Sequence, residues 1–318
     1  MMMVKAEQPV YILGLAELNS SETYANPHTG TQKVRDELTP SAAAALVARR
    51  AIESAQINIS QIDFVISATQ TPDFNNPGLV SRLLAELQLG VGGLEIKQGV
   101  HGALHALILG KSLIRTGTAK NILIVAVDFL SRYFNSEVVP QGLASEAFKT
   151  FGDGAAACVL SAQSQTVCPI LEIYQHISAT SSAHWQDLVS PLPSSNQFPL
   201  RLTQQDVAEG RHFPTLNTAE LIAHSQDLKP IADFVSTLPG VFPLWCTHEI
   251  CAGQLQSLRT LAQTSGASVL ETGLKIGYLG SAGVLCAMQQ GLKQSGNLLA
   301  LTIGAGPSWS ALALKRVE

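Results

Sequence analysis

The chain has 318 residues, 46% of them hydrophobic and 14% charged, with a net charge of −4. That composition excludes a disordered chain, which needs low hydrophobicity and high charge, and the absence of a basic tract argues against a nucleic-acid partner. So few charges leave much of the surface neutral, with some of it available to be covered by a partner.

The five cysteines, at 158, 168, 246, 251 and 286, are odd in number and irregular in spacing, which points to a reducing compartment rather than a disulfide scaffold. The N-terminal Met1–Glu7 stretch has no basic region leading into an apolar run, so no signal peptide is expected. The longest apolar runs, Ile122–Val127 and Ala155–Leu160, are much shorter than a membrane span. The expectation is a cytoplasmic protein with no membrane association.

In chain order, Pro9–Leu15 reads as a first strand, followed by a polar segment over 16–38 with turn signals at Asn26-Pro27 and Thr29-Gly30. Thr39-Pro40 reads as an N-cap with proline at the first helical position, opening an alanine-rich helix over Ser41–Ala55. Ile62–Ala68 is a buried strand that ends at Thr71-Pro72-Asp73, and Gly78–Leu89 is a helix. Leu94–Lys97, Gly102–Thr116, Asn121–Val127 and Ala155–Leu160 continue as strand, helix, strand, strand. Such an order of apolar strands and helices argues for a sheet covered by helices on both faces.

From about 176 to 243 prolines and polar residues dominate, around short helices at Thr218–Ser225 and Ile231–Leu238. The regular pattern resumes with a strand at Leu244–Thr247, helices near Ala252–Gln263 and Ala282–Leu292, and strands at Leu298–Ile303 and Ser310–Lys315. The break near 162–170 divides the chain into residues 1–165 and 166–318, with no flexible linker between them.

Four local patterns carry a family resemblance. Ser67-Ala68-Thr69-Gln70-Thr71-Pro72-Asp73 ends a strand, and Phe151-Gly152-Asp153-Gly154-Ala155-Ala156-Ala157 makes a turn. Thr247-His248-Glu249 precedes a helix, and Gly304-Ala305-Gly306-Pro307-Ser308-Trp309-Ser310 lies near the C-terminus. In this order they resemble the motifs of β-ketoacyl-acyl-carrier-protein synthase III enzymes. The resemblance implies a thiolase fold: two similar α/β halves, 1–165 and 166–318, packed as a duplicated, five-layered αβαβα body that is usually dimeric.

It also implies a set of reacting groups. The family uses a cysteine at a helix N-terminus to take an acyl chain from a thioester, its thiolate favoured by the helix dipole. A histidine and an asparagine then polarise the malonyl thioester carbonyl during decarboxylation. Within Ile96-Lys97-Gln98-Gly99-Val100-His101-Gly102 the cysteine position holds Val100, which cannot form a thioester. The histidine is kept as His248. Within Gly277-Tyr278-Leu279-Gly280-Ser281-Ala282-Gly283 the asparagine position holds Tyr278, whose ring enters space meant for substrate. The family's Asp-Glu-Trp segment facing coenzyme A is missing from 16–38, where His28-Thr29-Gly30-Thr31 stands near the matching Arg-Thr-Gly-Ile. No bound cofactor is expected.

The remaining chemistry-bearing residues have plainer readings. His101 is a possible substitute base or acyl acceptor, or a residue that packs or caps at the helix start. His101 and His105, spaced i and i+4, have no third ligand placed to complete a metal site, and Cys246, His248 and Cys251 fall in a strand-to-helix turn, so no metal is expected. Cys158 and Cys286 read as core residues, and Asp153 as a turn residue that accepts backbone hydrogen bonds.

Two functions follow. One is a non-condensing, synthase III-like subunit that pairs with an active ketosynthase, or with itself, and shapes an acyl pocket in specialised fatty-acid, polyketide or quinolone-like biosynthesis. The other is a divergent acyltransferase or thioesterase that uses acyl-CoA or acyl-carrier-protein donors, with His248 as base and no cysteine acyl-enzyme.

Overall fold

The computed structural model describes residues 8–27, 29–133, 150–163, 170–181, 188–189, 203–209, 215–216, 223, 227–294, 296–304 and 308–317. The first half contributes strands β1 (Tyr11–Glu17), β2 (Phe64–Ala68), β3 (Gly92–Ile96), β4 (Asn121–Phe129) and β5 (Asp153–Ser161). The second contributes β6 (Leu171–Thr180), β7 (Leu244–Thr247), β8 (Ser268–Leu270), β9 (Leu298–Gly304) and β10 (Ser308–Arg316). These ten strands are hydrogen-bonded in the order β8-β7-β9-β10-β6-β1-β5-β4-β2-β3. Outward from the centre, the first half runs β1-β5-β4-β2-β3 and the second β6-β10-β9-β7-β8, the same path displaced by five strands. The halves join where Tyr11 and Ile12 pair with Glu172 and Leu171.

The helices are α1 (Pro40–Ser54), α2 (Leu79–Leu87), α3 (Gly102–Arg115), α4 (Lys229–Ser236), α5 (Ala252–Thr264) and α6 (Gly283–Gly291). Strand period sorts them into layers. Along β4, Ile122, Ile124 and Ala126 face a central core with residues of α3 and α6, whereas Leu123, Val125 and Val127 face an outer core with α1 and α2. Along β9, Leu298 and Ala300 join the same central core, and Leu299, Leu301 and Ile303 pack outward with residues of α4 and α5. Helix, strand, helix, strand, helix is the five-layer stacking. Both faces of the inner strands are covered, which is why their sequences are continuously apolar rather than alternating.

Local chemistry places α1 closely on the sheet. The Thr39 hydroxyl accepts a hydrogen bond from the Ala42 amide at 3.2 Å, and Pro40 occupies the first turn. Alanines on its inner face allow backbone approach. A Cβ added at Gly14 of β1 would lie 2.3 Å from the Ala51 carbonyl oxygen, so only glycine fits there.

Three expectations are revised. The β6 strand falls in a stretch where no strand was expected, because Glu172, Gln175, His176 and Ser178 break up its apolar pattern and several of its residues are exposed. The polar 16–38 segment contains a hairpin of Thr23–Ala25 against Gln32–Val34. The third, β8, is too short to leave a hydrophobic period. The expected helix at Thr218–Ser225, apart from Ala223, and His28, Cys168 and Ala305–Pro307 lie outside the described residues.

Candidate active site

The site is built around the loop of residues 277–283, which the first half of the chain holds in place. Asp128, at the end of β4, is fully buried. Its Oδ1 accepts from the amides of Gln70 at 2.6 Å and Thr71 at 3.2 Å, and its Oδ2 accepts from the Ser281 amide at 2.7 Å. Burial pushes its carboxyl pKa up, while the Ser281 and Gln70 donors pull the other way. Gly280 has φ +56°, and a Cβ there would meet Asp128 Oδ2 at 2.3 Å. The carboxylate can therefore sit against the loop backbone only because residue 280 is glycine.

The Gly-Asp-Gly turn buttresses the same loop. A Cβ on either Gly152 or Gly154 would come within 2.9 Å of the Leu279 side chain. Asp153 accepts from the Val34 amide at 3.2 Å, the Ser131 amide at 2.9 Å and the Ser131 hydroxyl at 2.8 Å, so its place is structural. The Gly152 amide donates to the Tyr278 carbonyl at 2.9 Å and the Tyr278 amide to Thr150 at 2.7 Å, which stitches the motif to the loop.

His248 lies just beyond β7 and is 1% exposed. Its Nε2 accepts from the Leu279 amide at 2.6 Å, which makes Nδ1 the protonated nitrogen. That Nδ1 is buried with no hydrogen-bond partner among the described residues. Desolvation lowers the histidine pKa to about 3, so the ring is neutral at ordinary pH. Gly283, the first residue of α6, lies against the ring: a Cβ there would be 2.1 Å from Cδ2. The Tyr278 ring stacks on the imidazole at 5.6 Å and 26°, with Phe151 5.6 Å away on Tyr278. Burial, then the charge of Asp128, raises the Tyr278 phenol pKa.

Val100 is 2% exposed, in a short 3-10 turn over Gly99–His101 that leads into α3. The Ser281 hydroxyl donates to the Gly99 carbonyl at 3.0 Å, which ties this turn to the same loop. A Cβ on Gly304 would lie 3.1 Å from Val100 Cγ1 and 2.6 Å from His101 Nε2, so the end of β9 closes over both.

His101 is the N-cap residue of α3, but its side chain makes no capping hydrogen bond. Its Nδ1 is 2.7 Å from the Thr302 hydroxyl and its Nε2 is 2.7 Å from the Ser308 hydroxyl. Burial, and to a lesser degree the neighbouring His105, lowers its pKa to about 3. His105 stacks on it at 5.7 Å and has Nε2 2.8 Å from the Ser178 hydroxyl, so the i, i+4 pair is engaged with hydroxyls. Among the described residues no group of three or more His, Cys, Asp and Glu is arranged to hold a metal ion. Burial pushes the Cys158 thiol up to about 12 and raises that of Cys286 well above its usual value, as suits core residues.

A cavity of about 350 Å³ opens beside the loop, with Thr29, Thr31, Thr150, Glu249, Lys275 and Tyr278 among its walls. Two of the residues that organise this region went unrecognised in the sequence. Asp128 leaves one signal, an acid inside the otherwise apolar strand Asn121–Phe129. Glu249 leaves none, because a single carboxylate after a histidine is common.

Residues 94–178 match the sequence model of the 3-oxoacyl-[acyl-carrier-protein] synthase III family. The chain is 27% identical over 287 residues to the β-ketoacyl-[acyl-carrier-protein] synthase III of Chlamydia caviae, covering 86% of this chain and 82% of that protein. With the corresponding protein of Chlamydia muridarum it is 24% identical over 316 residues, covering 94% and 92%. A crystal structure of a 3-oxoacyl-(acyl-carrier-protein) synthase III superposes with a TM-score of 0.78 at 20% identity, covering 97% of this chain and 100% of that one. The priming β-ketosynthase of the R1128 polyketide pathway gives 0.76 at 19%, covering 100% and 99%. The fold is the thiolase fold, and in sequence the chain is similar to 3-oxoacyl-[acyl-carrier-protein] synthase III proteins.

Proposed function

We propose that this chain is a ketosynthase III-like subunit without condensing activity of its own, which pairs with an active homologue in specialised fatty-acid, polyketide or quinolone-like biosynthesis and shapes that partner's acyl pocket. The single observation behind this reading is Val100. On the resemblance it holds the nucleophile's position, and it is hydrocarbon, buried, and covered by Gly304. A valine side chain has no lone pair with which to attack a thioester.

The other two positions support the same reading. An oxyanion site needs preorganised donors aimed at the developing charge. His248 has Nε2 committed to the Leu279 amide, and the asparagine position carries the Tyr278 ring, stacked over that same imidazole. Both nitrogens of His101 lie within hydrogen-bond distance of hydroxyls, which favours a structural residue over a replacement nucleophile or base. We read the chain as two thiolase-like halves, 1–165 and 166–318. The matching strand order in each half supports that division.

A second reading keeps some support, because the His248 Nδ1 is unpartnered among the described residues. In it His248 assists direct acyl transfer to an acceptor or water. A ring with a pKa of about 3 is a weak base at neutral pH, and that counts against it.

The test is co-expression with a cysteine-bearing homologue, then size-exclusion chromatography and a condensation assay on each species. The expected result is a heterodimer whose acyl-chain preference differs from the homologue's alone. Condensation of two thioesters by this chain in isolation would overturn the proposal. Turnover of acyl-CoA that is abolished in His248→Ala would favour the second reading instead.

A further inference from the structure

Tyr278 stands at the boundary between the 350 Å³ cavity and the buried imidazole. The described residues that wall the cavity include Tyr278, which is half-buried, but neither His248 nor Val100. On the other side His248 is 1% exposed, and the phenol ring lies stacked on its face at 5.6 Å and 26°. Phe151 meets the same phenol ring at 5.6 Å, tilted by 39°.

The backbone beneath that ring is held on every side. Tyr278 forms a parallel bridge with Phe151: its amide donates to the Thr150 carbonyl at 2.7 Å, and its carbonyl accepts from the Gly152 amide at 2.9 Å. Gly277, just before it, has φ +90°, and a Cβ there would lie 2.8 Å from Thr31 Cβ. Just after it, the Leu279 amide donates to His248 Nε2 at 2.6 Å. Rotation of the side chain is the one freedom left, and it would forfeit the stacking on both His248 and Phe151.

We propose that the Tyr278 ring is a built-in stopper, filling a flat slot between the cavity and His248 and keeping any ligand in the cavity off the imidazole. Shortening the side chain leaves a void, because a loop clamped at Thr150, Gly152 and His248 cannot collapse into it. A void lined by aromatic faces takes up a small planar ring from solution, and the cavity gives that ring its way in. This role deepens the reading of the chain as a non-condensing subunit and rests on it for its meaning, though not for its geometry. Val100 offers no nucleophile, and Tyr278 leaves the imidazole out of reach from the cavity.

The experiment uses the full chain, the variants Tyr278→Ala and Tyr278→Phe, and two probes, phenol and its non-planar counterpart cyclohexanol. Isothermal titration reads binding, and hydrogen–deuterium exchange at histidine Cε1, followed by mass spectrometry, reads solvent access to His248. In wild type His248 is expected to exchange at least about tenfold more slowly than the exposed His176. Tyr278→Ala is expected to speed His248 exchange at least about tenfold and to bind phenol at least about tenfold more tightly than wild type does. Phenol, more than cyclohexanol, then restores slow exchange. Tyr278→Phe keeps the ring and is expected to match wild type, and Tyr278→Leu repeats the test if the alanine variant does not fold. Fast His248 exchange in wild type, an unchanged rate in the shortened variant, or a Tyr278→Phe rate equal to that of Tyr278→Ala would overturn the proposal. Failure to pair with a homologue, or condensation by the isolated chain, would sink the subunit reading without moving these rates, so the two failures are told apart.

Discussion

His248 makes the stability of this protein sensitive to acid in a way that can be isolated. Its native pKa is lowered from 6.5 to about 3 by desolvation. Between those values the unfolded chain binds a proton that the native state refuses, so stability is present above pH 6.5 and is lost as pH falls toward 3. At pH 5 the ordinary histidine pKa lies 1.5 units above the pH, and at 1.36 kcal/mol per unit the loss is about 2 kcal/mol. The buried carboxyls Asp128, Asp153 and Glu249 act in the opposite direction. Their native pKa values are raised, so they take up protons before the unfolded chain does and add stability as pH falls. Urea denaturation of the wild type alone would therefore mix both signs. The difference between wild type and His248→Gln removes the carboxyl contribution, since glutamine can still accept from the Leu279 amide. The variant is expected to lose about 2 kcal/mol less than wild type between pH 7 and pH 5. An identical pH dependence in the two proteins would refute the buried, neutral imidazole.

Three further changes test the frame around the site. Gly283→Ala drives a methyl group to 2.1 Å from the His248 ring and is expected to cost on the order of 1–3 kcal/mol, read from the urea midpoint. Asp128→Asn turns one carboxylate oxygen into a donor that faces the Ser281 amide or the Gln70 and Thr71 amides, and about 2–4 kcal/mol is expected to be lost; an unchanged midpoint would mean the carboxylate is not the link between β4 and the loop. Val100→Cys places a thiol in the turn before α3 and, on the proposed reading, is expected to gain one acyl mass on incubation with short acyl-CoA, by intact mass spectrometry. If wild type gained the same adduct, the nucleophile would lie elsewhere in the chain.

Much of the architecture was legible because the inner strands are buried on both faces. Ile122–Val127 and Ala155–Leu160 have no polar residue to blur their character, and Thr39-Pro40 punctuates α1 chemically. Strand β6 was not legible for the converse reason. It pairs along nearly its whole length with β10, but much of it is exposed and carries Gln175, His176 and Ser178. Its place is decided by backbone hydrogen bonds to a segment more than a hundred residues away, and no local window contains that information.

At the candidate site, the sequence named residues but not their partners. The motifs singled out Val100, His101, His248 and Tyr278 as candidates. They did not reveal that His248 spends Nε2 on the Leu279 amide, or that His101 engages two hydroxyls from the far end of the sequence. The glycines explain why the motifs nonetheless read so clearly. Gly152, Gly154, Gly280 and Gly283 each sit where a Cβ would strike Leu279, Asp128 or His248, so the frame tolerates almost no substitution at these points. Val100 and Tyr278 face a different constraint. They fill space rather than grip backbone, and a changed side chain there alters chemistry while leaving the loop clamped by Asp128. On the proposed reading, the scaffold can carry different side chains at these two positions and still fold. The proposed role as a pairing subunit requires that same separation of frame from chemistry, and the Val100→Cys and Asp128→Asn variants probe its two sides independently.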